Sequence, residues 1–176
     1  MNINPSKITL FNNLITFQVV WFVSAYWHNN FAVLFSVGLL AWLYYFESWS
    51  KPRLKLTLQI ALTGMLVDSL LVYFGLICFE ISVLPIPFWF VMLWLLFATT
   101  CSMSLSWMLK KPVIAIIAGA VFGPLSYWAG MKFDAMFISG VEGFLAIAIA
   151  WASMMWLFSY LYHQSQTATT LKSQSI

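Results

Sequence analysis

Six long apolar runs follow one another with only a few polar residues between them, a pattern that directs the chain to fold within lipid as an all-α, polytopic membrane protein. The runs cover about 10–27, 31–47, 56–79, 88–109, 112–131 and 141–162, and each is read as one membrane-spanning helix. Connections as short as His28-Asn29-Asn30 keep consecutive helices antiparallel and adjacent, so residues 1–162 are expected to form one compact six-helix bundle. Of the 176 residues 62% are hydrophobic and 7% charged, against about 25% charged in soluble domains, which leaves nothing from which to build a separate soluble domain. The tail 163–176, with its Ser, Thr and Gln, is too polar to bury and is expected to be flexible.

Placing the N-terminus in the cytoplasm puts Lys7, Lys51, Arg53, Lys55, Lys110, Lys111 and Lys172 on that side and leaves Lys132 alone outside. Aromatic residues follow the same division, with Trp27, Phe31, Trp89 and Trp128 near the outer interface and Trp42, Trp49, Trp107 and Tyr160 near the inner one. Both termini then face the cytoplasm. The basic residues are spread over loops rather than gathered into a stripe, which argues against a nucleic-acid surface. Asn12, Asn13 and Gln18 dilute the first run and no small-residue cleavage site follows it, so it is kept as a span rather than a cleaved signal. Cys78 and Cys101 both fall inside apolar runs without metal or redox spacing and are read as buried free thiols.

Asp68 lies near the middle of the third run, about a dozen residues from either end, which on a helix is roughly 18 Å from each membrane face. A carboxylate there costs at least about 2.5 to 3.5 kcal/mol and demands a partner or a proton. It shares a stripe with the small residues Ala61, Gly64 and Gly75, which should face protein. The fifth run offers a matching small face in Ala115, Gly119, Gly123, Ser126 and Gly130. There Pro124 breaks the helix and frees the Ala120 carbonyl, for which a protonated Asp68 is a candidate donor. Gln18 shares a face with Trp21 and Ala25 and is expected to turn into the bundle, lining a polar pocket with Asp68.

The candidate buried polar site is thus Asp68, Gln18, Ser69, Thr99 and Tyr127, and the candidate helix-break and close-packing residues are Gly64, Gly75, Gly119, Gly123, Pro124 and Gly130. Asp68 has two readings, a structural staple between helices or a proton or cation site. Thr99, Thr100, Ser102, Ser104 and Ser106 are expected to bond back to carbonyls of their own helix. Glu80, Asp134 and Glu142 fall at outer helix ends, where solvation is cheap. His28 and His163 fall at opposite membrane faces, and GxSxG, HExxH, P-loop and Rossmann fingerprints are absent. No catalytic residue, metal or cofactor is assigned.

Several patches in order carry a resemblance: Asn13-Leu14 with Phe17-Gln18 and Trp21-Phe22; Gly64 through Asp68-Ser69-Leu70 with Gly75-Leu76; Pro87-Phe88-Trp89 with Leu93-Trp94 and Phe97-Ala98-Thr99. Ser104-Leu105 with Trp107, and Gly119-Ala120 with Gly123-Pro124-Leu125-Ser126-Tyr127 and Gly130, complete it. With these the chain resembles the bacterial inner-membrane proteins grouped as domain of unknown function 2878. It departs from them at Phe133-Asp134-Ala135, where a Gly-Ala pair is expected. The resemblance implies the bacterial inner membrane and genes that often sit beside those for fatty-acid-modifying enzymes of the cyclopropane synthase type, but no chemistry for any residue. Three functions remain in view. The first is a non-catalytic accessory protein of envelope lipid modification or stress adaptation that binds a lipid or a lipid-modifying enzyme. The second is a small proton- or cation-coupled transporter with a midplane site at Asp68. An intramembrane enzyme is the least supported, with one buried acid and no second group in reach.

Overall fold

The computed structural model describes residues 6–28, 30–46, 49–79 and 85–174; Asn29, Glu47, Ser48 and Glu80, which figure in the expected loops and helix ends, lie outside them. The order is α1 (Lys7–Trp27), α2 (Asn30–Phe46), α3 (Lys51–Tyr73), β1 (Ile77–Cys78), α4 (Phe88–Ser102), α5 (Ser106–Leu109), α6 (Pro112–Lys132), β2 (Phe137–Ile138) and α7 (Gly140–Gln174). Local chemistry sets the starts. The Ser6 hydroxyl accepts from the Thr9 amide at 3.1 Å, the Ser50 hydroxyl from the Arg53 amide at 3.4 Å, and Pro112 opens α6 where its missing N–H is harmless.

Four helices are long and apolar enough to cross a membrane: α1, α3, α6 and the Gly140–Thr167 portion of α7. The apolar parts of α2 (Phe31–Trp42) and α4 (Phe88–Ser102) are shorter. Those bounds correct the expected spans in three places. The third run does not stay helical to Phe79, because Gly75 takes φ +70 and turns the chain into β1, leaving Cys78 exposed in a strand rather than buried in a helix. The fourth breaks at Met103 (φ −127, ψ −93), and only α5 continues it. Here the hydroxyls compete with the ladder: Thr99 and Thr100 donate to the Leu96 carbonyl at 2.7 and 3.0 Å, and Ser102 to the Thr99 carbonyl at 3.0 Å. Finally, the polar tail expected to fray continues α7 as far as Gln174.

β1 and β2 pair antiparallel, Ile77 opposite Ile138 and Cys78 opposite Phe137. Ile77 and Ile138 are buried, so this short ribbon caps the end of the bundle at which α1, α3 and α6 finish and α4 and α7 begin. We call this the ribbon end; Lys51, Arg53, Lys55, Lys110 and Lys111 lie at the opposite, basic end. Asp134 holds φ +57 in the turn before β2, a conformation that Asp tolerates better than most residues.

α6 packs chiefly on α7, α3 on α4 and α7, and α1 on α2 and α4. The small face of α6 therefore does not meet α3 as expected. At Gly119 a Cβ would sit 2.6 Å from Met155 Cγ and 2.7 Å from the Trp151 carbonyl oxygen, so α7 has already taken that face. α6 also runs unbroken through Pro124. Trp89, the second residue of α4 at the ribbon end, is buried among Phe79, Phe90 and His28.

Candidate functional site

α3 carries Asp68 into the interior, where none of its surface is exposed. The Trp94 indole Nε1–H of α4 and the Tyr127 hydroxyl of α6 both donate to its Oδ2, each at 2.6 Å. Bonds to a carboxylate oxygen are short and strong, and this pair ties three helices together. The other oxygen, Oδ1, is buried without a hydrogen bond, and Asp68 makes none to the Ala120 carbonyl. Asp68 is also not at mid-span. It stands five residues before the end of α3, about 7.5 Å by helical rise; Trp94 is six residues into α4 and Tyr127 five before the end of α6, so all three agree on this depth.

The bare backbone of Gly64, one turn before Asp68 on the same face, makes room for Trp94, whose six-membered ring occupies the space a Gly64 Cβ would need. Trp94 stacks on Trp151 of α7, centroids 5.4 Å apart and planes 23° from parallel. The far face of that pair is Gly123, where a Cβ would come within 2.7 Å of Trp151 Cβ. Two indoles are thus sandwiched between two glycines across the bundle, with Phe97 packing edge-on against both. A cavity of about 40 Å³ touches Trp94, Tyr127 and Trp151 but not Asp68, which is sealed behind its donors.

The remaining candidates are dispersed. Ser69 donates to the Met65 carbonyl of its own helix at 2.7 Å. Gly75 has open space where a Cβ would be, so it serves the turn and not a close approach, while a Cβ on Gly130 would lie 3.3 Å from Met136 Cε. Thr99 belongs to a second polar cluster, accepting from Asn13 Nδ2 at 3.4 Å, and Ser104 donates to Asn13 Oδ1 at 2.7 Å. Asn13, fully buried, pins α1 to the turn after α4, and sequence reasoning passed over it as a diluting residue. The signal was available: Asn13, Phe17, Val20 and Ser24 recur at helical spacing on one face, and Gln18 lies off it. Gln18 is accordingly exposed and does not join Asp68.

Gln18 instead lines a cleft of about 600 Å³ between α1 and α6. Phe17, Trp21 and Phe22 form one wall, Ala118, Phe122 and Ala129 the other, and Phe97, Trp151 and Met155 the floor. It exists because α6 is held by α7 and α1 by α4, so these two helices flank each other without extensive pairing. From Ile114 to Ala129 its α6 wall runs 16 residues, about 22 Å, or roughly three quarters of a hydrocarbon core of about 30 Å. Among the described residues, no three His, Cys, Asp or Glu side chains come together as a metal site would require. No curated protein and no solved structure matches the chain. The family model described as protein of unknown function (DUF2878) matches residues 10–157, and the chain belongs to that family.

Proposed function

We propose that this is a non-catalytic protein of the bacterial inner membrane that crosses the bilayer six times with both termini cytoplasmic and holds a lipid chain in the α1–α6 cleft. Such a protein would serve envelope lipid modification or stress adaptation by presenting lipid to, or docking with, a lipid-modifying enzyme. The observation that carries this reading is the cleft itself. Its volume of about 600 Å³ falls inside the range of about 300–1,000 Å³ typical of ligand sites, its walls are almost wholly apolar, and its long axis follows the membrane-crossing helices. In favour of six crossings, α4 with α5 and the 17-residue α2 carry the chain between the two ends of the bundle, and the basic residues gather at one of those ends. The carrier reading draws less support, since Asp68 is sealed and Gln18 lies elsewhere.

Photoactivatable fatty acid added to the protein in nanodiscs should label Phe17–Phe22 and Ile114–Ala129 in strong excess over other lipid-facing segments. Uniform labelling of all exposed helices would remove the cleft reading. A reporter fused after Gln164 should be active only in the cytoplasm, and periplasmic activity would reverse the topology.

A further inference from the structure

The apolar wall of the cleft is interrupted at one level. Gln18 stands eleven residues after Lys7 and nine before Trp27, at the middle of α1, with its side chain exposed on the cleft. Its carboxamide offers two N–H donors and a carbonyl acceptor, and it makes no hydrogen bond to any described residue. At this depth no water stands ready to serve it, and an amide left unsatisfied in hydrocarbon costs several kcal/mol. Something else in the cleft must supply its partner.

On the lipid-cleft reading above, we propose that the occupant is a fatty acid bearing a hydroxyl or oxo oxygen near the middle of its chain, and that Gln18 binds that oxygen. Depth decides against the ester groups of a phospholipid, which lie at the edges of the hydrocarbon core rather than its centre. On the opposite wall Gly123, nine residues before the end of α6, stands at the level of Gln18 with Trp151 packed on it. Nearby Ser126 spends its proton on the Gly123 carbonyl at 2.7 Å and keeps its oxygen free to accept. Charge sets the direction of the chain. The exposed Lys110 and Lys111 stand just before the α6 end of the cleft, where Met108 and Ile114 line it, and suit a carboxylate there.

The test is displacement of a fluorescent fatty acid from the full-length protein in nanodiscs by stearate, oleate and a hydroxystearate with its hydroxyl at mid-chain. Hydroxystearate should bind about tenfold tighter than stearate. Gln18→Leu, a lipid-facing change that leaves the fold intact, should abolish that preference and bring stearate and hydroxystearate to the same affinity. Equal affinity of stearate and hydroxystearate, a preference surviving in Gln18→Leu, or tightest binding of oleate would overturn the assignment of Gln18 while leaving the cleft a lipid site. Failure of all three to displace the probe would overturn the lipid-cleft reading itself.

Discussion

Asp68 accepts on one oxygen and is empty on the other, an asymmetry that its replacements should reveal. Asp68→Asn keeps an acceptor for both Trp94 and Tyr127 and is expected to lower thermal stability by less than about 1 kcal/mol. Asp68→Leu strands two buried donors and should cost about 2 to 4 kcal/mol. Thermal unfolding in detergent separates the two, and complementation of a deletion strain by Asp68→Asn would show that titration is dispensable; loss of function with normal stability would revive a proton-handling role. At this scale the sequence exposed the buried acid and included Tyr127 with it, because a carboxyl in a long apolar run advertises its own cost. It did not reveal Trp94, since an indole in an apolar run looks like any other aromatic until a second helix brings an acceptor to its N–H. Gln18 and Asn13 exchanged places for a related reason: both are amides in one helix, and only the neighbouring helix shows which side is inward.

Within and between helices, the glycines do different work according to what faces them. Gly64→Ala and Gly123→Ala each drive a methyl into an indole ring held on its other side by a second indole, so neither ring has room to retreat. Each should destabilise by about 1 to 3 kcal/mol or more. Gly38 in α2 has nothing within 4 Å of a would-be Cβ, so Gly38→Ala should be neutral or gain up to about 1 kcal/mol from helix propensity. Equal responses at all three positions, read by thermal unfolding, would refute the indole sandwich. Close approach at Gly64, Gly119 and Gly123 was legible from small-residue spacing. The partner was not: the α6 face pairs with α7, the next helix along a short connection, rather than with α3. The β1–β2 ribbon was illegible, because two residues per strand leave no periodicity to read.

Across the whole molecule, the cleft follows from the order of packing and not from any local pattern. Filling it with Ala118→Trp should abolish photoactivatable fatty-acid labelling while leaving unfolding temperature within a few degrees of wild type, since the added ring has the cleft to occupy. Persistent labelling with the cleft filled would place the lipid elsewhere. What the sequence determined by itself is the apolar, helical character of the chain and the need to satisfy a buried carboxyl, because hydrophobic length and the cost of an unpaired charge are properties of a segment in isolation. Only the tertiary structure decided that Trp94 and Tyr127 meet that need near the ribbon end, and that α1 and α6 stand apart with Gln18 between them. Helices in lipid gain no hydrophobic energy from choosing one partner over another, so the pairing is settled by shape, such as a glycine under an indole, and shape exists only once the backbones are in place.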